Sequence, residues 1–238
     1  MRAINAESDS RERRLRMVRR QIAHRGVRDP LVLTALSEVR REEFLPADLR
    51  EFAYDDSPLP IDQGQTISQP YIVALMTEAL QLRGGERVLE VGTGSGYAAA
   101  ILAQIAAAVY SVERYGQLAT RAADILAAQG YANVHILQGD GTLGWPEHAP
   151  FDAIVVAAGG PEVPESLKTQ LKIGGRLVIP VGRDRRFQEL LRITRTSDEE
   201  YRTEELAEVC FVPLVGEAGW APEVGEPPTP TPDRLDRG

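Results

Sequence analysis

Between Arg87 and Val181 the chain alternates short apolar runs with segments of helical periodicity. The runs at Arg87–Val91, Ala108–Glu113, Val134–Gln138, Ala153–Ala157 and Arg176–Val181 predict strands. Helical patterns separate the first three, at Ala98–Ile105 and Gln117–Gln129. This alternation predicts an α/β fold with a mostly parallel sheet covered on both faces. Two later runs, Glu189–Thr194 and Glu208–Pro213, flank a charged turn from Ser197 to Thr203 and predict an antiparallel hairpin at one sheet edge. The upstream pattern is helical. Leu15, Val18 and Ile22 recur at helical spacing within Arg11–Arg25, which Gly26 should stop. Asp29-Pro30 opens a second helix through Leu31, Leu33, Ala35, Leu36 and Val39. Pro58, Pro60 and Gly64 make Tyr54–Gln65 a loop. Ser68-Gln69-Pro70 then predicts a helix start, with Ile72, Leu75, Met76 and Leu80 on one face and a stop at Gly84-Gly85. Residues 1–10 are polar and expected to fray. The segment after Trp220 is rich in Pro, Glu and Asp and is expected to be disordered.

The 238 residues, 43% hydrophobic and 26% charged, suffice for one sizeable core. The net charge of −8 disfavours nucleic acid as a partner. Arg11, Arg13, Arg14, Arg16, Arg19, Arg20, Arg25 and Arg28 crowd the N-terminus, and we read them as the solvated face of a surface helix. Cys210 is the only cysteine, so no intramolecular disulfide or multi-cysteine metal site can form. Its apolar neighbours predict a buried structural thiol. No stretch approaches the roughly 18 apolar residues that span a bilayer, and no apolar core follows the basic N-terminus. The expectation is a monomer in the cytoplasm, acting without metal, membrane or nucleic acid.

The segment Val88-Leu89-Glu90-Val91-Gly92-Thr93-Gly94-Ser95-Gly96-Tyr97 carries the first chemical signal. A strand runs into a glycine turn and then a helix, the opening unit of a nucleotide-type sheet. A dinucleotide fold needs Gly-x-Gly-x-x-Gly. Here the third glycine comes one residue early, and Tyr97 stands where that motif wants Gly or Ala. S-adenosylmethionine carries no phosphate, and close backbone approach at Gly92, Gly94 and Gly96 is what its methionine part needs. Glu90, at the end of the first strand, can meet the cofactor's ammonium directly or through water. Glu113, at the end of the second, can accept from both ribose hydroxyls. Asp140, between Gly139 and Gly141 after the third, lies where it can accept from the adenine amine. Each residue alone has a structural explanation; their place at successive strand ends favours a cofactor. The histidines, His24, His135 and His148, lack any nucleophile-elbow context, and there is no Gly-x-Ser-x-Gly, which argues against covalent serine chemistry. Read without a family, Gln65-Thr66-Ile67-Ser68-Gln69-Pro70 is a capped helix start.

From Met17 to Trp220 the sequence closely resembles the protein-L-isoaspartate (D-aspartate) O-methyltransferase family. The matching stretches are Met17–Ile22, Arg25-Gly26-Val27, Gln65–Pro70, Val88–Tyr97, Gly139-Asp140-Gly141, Pro161-Glu162-Val163-Pro164, Leu171–Gly182 and Phe211–Leu214. Thr66-Ile67-Ser68 is specific to the family; the glycine turn is shared with methyltransferases generally. Arg40 replaces a usual proline, Gly159-Gly160 replace frequent alanines and are expected to loosen the substrate loop, and Val215-Gly216 replace a threonine-containing version.

The resemblance implies a Rossmann-like class I S-adenosylmethionine-dependent methyltransferase sheet, mostly parallel with an antiparallel edge, plus an N-terminal helical extension. It implies an extension at residues 1–16, flexible or helical, and a methyltransferase domain at 17–220. Within that domain, 17–85 cover the ligands and 86–220 form the core; the tail is 221–238. The implied activity is methyl esterification of the free α-carboxylate of L-isoaspartyl residues, and of the D-aspartyl side chain, in damaged proteins. The ester then collapses to a succinimide. The alternative is a related carboxyl methyltransferase acting on aspartates of a biosynthetic peptide. The cofactor would lie against Gln65, Thr66, Ile67, Glu90, Gly92, Thr93, Gly94, Gly96, Glu113, Arg114, Asp140 and Gly141. Ser68 would position the accepting carboxylate. Ala157, Ala158, Pro161 and Val181 would line the substrate cleft.

Overall fold

A computed structural model describes residues 2–184, 186–222 and 233–234. Helix α1 (Arg2–Met17) reaches back through the segment expected to fray. It continues into a π-helical turn, Val18–Ile22, and a 3-10 turn, Ala23–Arg25, before Gly26 takes a φ of 107°. Val18 and Ile22 are buried and Leu15 half-buried, as the helical spacing predicts. The arginine face is mostly exposed, with one exception. Arg14 is buried and donates to the Ser37 carbonyl at 2.6 Å and the Tyr54 hydroxyl at 3.2 Å. Helix α2 (Pro30–Glu38) is capped by Asp29, whose carboxylate accepts from the Leu31 amide at 2.8 Å and the Val32 amide at 3.4 Å.

The proline-rich loop contains a short antiparallel hairpin, β1 (Leu59–Pro60) with β2 (Thr66–Ile67). Helix α3 (Pro70–Ala79) starts with Pro70 in its first turn, where no amide hydrogen is needed. It ends before the expected Gly84-Gly85 stop: Gln81, at φ 53°, turns the chain first. The central elements then follow: β3 (Arg87–Val91), α4 (Tyr97–Ala103), β4 (Ala108–Glu113), α5 (Gly116–Ala128), β5 (Val134–Gln138), β6 (Phe151–Val156), α6 (Glu165–Thr169), β7 (Leu171–Val181), β8 (Gln188–Arg195), β9 (Tyr201–Val209) and β10 (Asp233–Arg234).

The eight-stranded sheet has the order β10-β5-β4-β3-β6-β7-β8-β9. Strands β3 to β7 pair in parallel; β8 and β9 add the antiparallel edge. The second strand of that edge is Tyr201–Val209, so the charged turn is shorter than expected and the run after it belongs to a strand. None of its residues is buried, which explains the difference: an exposed edge strand has no continuous apolar run. Cys210 is exposed, not buried, because it follows the last residue of that edge strand. Most of the tail expected to be disordered lies outside the described residues; Asp233 and Arg234 pair with Leu137 and Gln138.

Two apolar layers flank the sheet. One joins the N-terminal helices, α3, α4 and α5 around Ile22, Leu36, Phe44, Leu80 and Tyr97. The other packs Trp145, Phe151, Leu167 and Leu171 against the opposite face. The chain goes from β3 outward through β4 and β5, then returns to β6 on the other side of β3. That reversal opens a crevice beyond the carboxyl ends of β3 and β6.

Candidate active site

The crevice holds a cleft of about 360 Å³. One wall is the turn after β3. Gly92, Gly94 and Gly96 have φ values of 92°, 53° and 87°, the left-handed region that only glycine enters freely. Gly92, Thr93 and Gly94 face the cleft. Gly96 is turned the other way: a Cβ there would lie 3.2 Å from Ala122 Cβ and 3.3 Å from Leu126 Cδ1. It lets the start of α4 pack on α5.

The carboxylate of Glu113 is the anchor of this wall. Its Oε2 accepts from the Gly94 amide at 2.8 Å and its Oε1 from the Tyr115 amide at 2.9 Å. Burial pushes its pKa up, opposed by backbone hydrogen bonds from Tyr115, Gly94 and Arg114. A carboxylate has about four lone-pair sites, so acceptor capacity remains toward the cleft that Glu113 lines. Glu90 sits beneath the turn and is fully buried. It accepts from the Ser111 hydroxyl at 2.5 Å, and Ser111 lies 2.6 Å from the Thr93 hydroxyl. Burial pushes its carboxyl up to about 8, with the nearby Glu113 adding to the rise and the Ser111 hydrogen bond opposing it. The other oxygen, Oε1, is buried without a protein partner.

The second wall is the β1–β2 hairpin and the residues after it. Gln63, Gly64, Gln65, Thr66, Ile67 and Ser68 line the cleft. The hairpin tip closes through Ile61 N–H to the Gln65 carbonyl at 2.9 Å. It is held to α5 by Arg121 to Asp62 at 2.6 Å and by Gln63 to Gln117 at 2.6 Å. Ser68 is half-buried, and its hydroxyl makes no hydrogen bond to another described residue, so it can serve a ligand.

The floor and far rim come from Gly141, Ala157, Ala158 and the segment Val212–Val215. Gly159, expected to loosen this rim, does the reverse. Its amide donates to the Val212 carbonyl at 2.8 Å, and its carbonyl accepts from the Leu214 amide and the Trp220 indole, both at 2.8 Å. A Cβ on Gly159 would lie 2.4 Å from the Gln188 side chain, so glycine permits close packing here.

The structure therefore brings Gln65, Thr66, Ile67, Ser68, Gly92, Thr93, Gly94, Glu113, Arg114, Gly141, Ala157 and Ala158 to one cleft. Glu90 and Gly96 support its turn from behind. Asp140 is also engaged elsewhere: its Oδ1 accepts from the Thr142 amide at 2.9 Å and hydroxyl at 2.7 Å, and its Oδ2 from the Glu217 amide at 2.7 Å. It ties the loop after β5 to the segment after Val215. Pro161 and Val181 stand beside the cleft, where Val181 bridges Gly160. Sequence reasoning passed over Tyr97, Tyr115 and Val212–Leu214 as lining residues; Val215, where a substitution put a cofactor contact in question, also lines the cleft. For Val212–Leu214 the family-like stretch Phe211–Leu214 was the available signal.

Comparison with known proteins agrees with this geometry. The family model for protein-L-isoaspartate (D-aspartate) O-methyltransferase matches residues 12–219. A protein-L-isoaspartate O-methyltransferase 1 from Rhodopseudomonas palustris (strain HaA2) is 66% identical over 90% of this chain and 87% of its own. A protein-L-isoaspartate O-methyltransferase 2 from Pelobacter propionicus is 60% identical over 87% of this chain and 92% of its own. Among solved structures, a protein-L-isoaspartate O-methyltransferase superposes with a TM-score of 0.78 at 33% identity, covering 88% of this chain and 67% of that one. A putative protein-L-isoaspartate O-methyltransferase from Plasmodium falciparum, in complex with S-adenosyl-L-homocysteine, has a TM-score of 0.74 at 26% identity, covering 85% and 98%. Matched along nearly its whole folded length and carrying the glycine turn and the Gln65–Ser68 wall on one cleft, the chain belongs to the protein-L-isoaspartate (D-aspartate) O-methyltransferase family.

Proposed function

We propose that this protein methylates the free α-carboxylate of L-isoaspartyl residues, and the side-chain carboxylate of D-aspartyl residues, in damaged proteins. The observation that carries the reading is the meeting of the glycine turn and Glu113 with Thr66-Ile67-Ser68 across one cleft. The cleft has the volume of a small-molecule site. Its chemistry fits S-adenosylmethionine, which supplies a methyl group on a positively charged sulfur. Glu113 accepts from the ribose hydroxyls with the capacity its backbone bonds leave. Gly92, Thr93 and Gly94 offer close backbone approach, and Gln65, Thr66 and Ile67 close over the ligand with Arg114 and Gly141 beside them. Asp140 and Gly96 act on the cofactor site through the loops they hold. Glu90 holds the turn through Ser111 and supplies compensating negative charge when it ionises.

The acceptor requires no strong base. A carboxylate of pKa about 4 is already ionised at neutral pH. The residues' task is alignment, which removes the entropy cost of bringing two reactants together. Ser68 donates a hydrogen bond to the acceptor carboxylate and fixes its attacking oxygen. Ala157, Ala158, Pro161 and Val181 shape the entry, and the segment from residue 17 to 85 serves as the cover over the 86–220 core. The net charge of −8 supports a protein or peptide partner over nucleic acid.

The test compares labelled methyl incorporation into two peptides that differ only in isoaspartyl or aspartyl linkage. Incorporation confined to the isoaspartyl peptide is expected. Equal incorporation, or none, overturns the assignment. The positioning role of Ser68 is tested by Ser68→Ala, which should lower kcat while S-adenosylhomocysteine binding, followed by calorimetry, stays near wild type.

A further inference from the structure

Beyond the cleft rim, the connection between β7 and β8 presents an unusual surface. Phe187 is 79% exposed, the most exposed of the large hydrophobic side chains among the described residues. Arg183 and Arg186 beside it are exposed, and neither guanidinium hydrogen-bonds another described residue. The described residues on either side are tied together. The Asp184 carboxylate accepts from the Arg186 amide at 2.7 Å and the Phe187 amide at 3.0 Å, fixing the turn that displays them. These backbone bonds hold the Asp184 carboxyl below the usual carboxylate range, so it stays ionised as their acceptor.

The base of the loop is bonded to segments that lead into the cleft lining. The Gly182 amide donates to the Gly160 carbonyl at 3.0 Å, and Gly160 in turn donates to Pro180 at 3.0 Å. At the other end, the side chain of Gln188 accepts from the Phe211 amide at 2.7 Å and donates to the Phe211 carbonyl at 3.2 Å. Gly160 lies two residues after Ala158 and Phe211 one residue before Val212, so both feet of the loop are bonded to residues next in the chain to the cleft lining. A basic, apolar platform at this place is anomalous in a protein with net charge −8. None of Arg183, Arg186 and Phe187 lines the cofactor cleft.

We propose that this loop grips the substrate polypeptide outside the reacting residue, with Arg183 and Arg186 pairing acidic side chains and Phe187 covering an apolar one. The inference rests on the methyl-transfer reading above and adds a preference to it: among isoaspartyl substrates, those with an acidic and apolar flank are used best. The occupant is the extended chain on either side of the damaged residue.

The experiment measures kcat/KM on the full-length enzyme with three isoaspartyl peptides, flanked by glutamates and leucine, by neutral residues, or by lysines. An aspartyl version of each serves as control. Wild type is expected to favour the acidic flank over the neutral one by about fivefold at low salt, the scale of two exposed charge pairs, and the preference should shrink as salt screens them. R183E/R186E should reverse the order and favour lysine flanks, with KM for S-adenosylmethionine unchanged. F187A should raise peptide KM and leave kcat at saturation near wild type. Equal use of the three isoaspartyl peptides by wild type, or an order that R183E/R186E leaves intact, overturns the inference while the methylation itself stands. Loss of isoaspartyl specificity altogether overturns the underlying reading instead. If F187A leaves peptide KM unchanged but shifts the sedimentation coefficient, the patch is a self-association surface and the inference fails.

Discussion

Replacing Glu90 by glutamine should flatten the pH dependence of stability above pH 4.5. Glu90 is fully buried behind the glycine turn, and its carboxyl is pushed from an ordinary 4.5 to about 8, first by burial and then by the charge of Glu113. A carboxyl raised in the folded state favours folding below the unfolded value and loses that contribution as pH rises toward the folded value. The window is therefore pH 4.5 to 8. Proton linkage over that window makes Glu90 cost the folded state ~2 kcal/mol at pH 6 and ~4 kcal/mol at pH 8. Glutamine never ionises, so E90Q escapes the cost. Its amide leaves a different hydrogen-bond mismatch beside Ser111, which is independent of pH. The stability of E90Q relative to wild type should thus improve by ~2 kcal/mol between pH 6 and pH 8. Urea unfolding of the cofactor-free proteins at the two pH values measures this, because titrating groups that do not interact with Glu90 cancel in the difference. An E90Q-minus-wild-type difference that is equal at both values would refute the buried, protonated carboxyl. The same carboxyl gives a ligand-linked readout: S-adenosylhomocysteine binding at pH 7 should release protons from wild type and fewer from E90Q, as calorimetry in buffers of different ionisation enthalpy reports.

Glu113→Ala should weaken S-adenosylhomocysteine binding at least tenfold, since it removes a charged acceptor and frees the Gly94 and Tyr115 amides; an unchanged dissociation constant in a titration excludes the ribose contact. Gly96→Ala should destabilise the fold by ~1–2 kcal/mol, the cost of a left-handed alanine, before any crowding against Ala122 and Leu126. Thermal unfolding without ligand checks it, and wild-type melting would contradict the packing role. Arg121→Ala removes the ion pair that holds the hairpin tip to α5. Release of S-adenosylhomocysteine, followed by stopped flow, should quicken by about twofold to fivefold at low salt and converge with wild type at high salt. Release rates that match at every salt concentration would show that the pair does not restrain the hairpin.

The local elements were legible because each has a short-range cause. Arg87–Val91 and Ala108–Glu113 read as strands since both of their faces are covered and most of their residues are apolar. Asp29 and Pro30 marked a helix start through a cap and a missing amide hydrogen. The glycine turn was legible since three left-handed φ values leave glycine as the residue that fits freely. The edge strand Tyr201–Val209 and the exposed Cys210 were misread for one reason: polarity along an edge reports which face meets water, and that depends on what the fold lays over it.

The sequence by itself determined the alternation of strands and helices, the kind of cofactor turn, and the family stretch Thr66-Ile67-Ser68. Tertiary structure decided which of the singled-out residues share a cleft. Glu90, Gly96 and Asp140 have the residue types expected of ligand contacts, and each also serves the fold: Glu90 accepts from Ser111, Gly96 packs against α5, and Asp140 accepts from Thr142 and Glu217. Their neighbours Thr93, Gly94 and Gly141 line the cleft directly. The physical reason is direction: a motif fixes where the backbone turns, but the packing of distant segments, Ser111, Ala122 and Glu217, fixes which side of that turn each side chain can occupy.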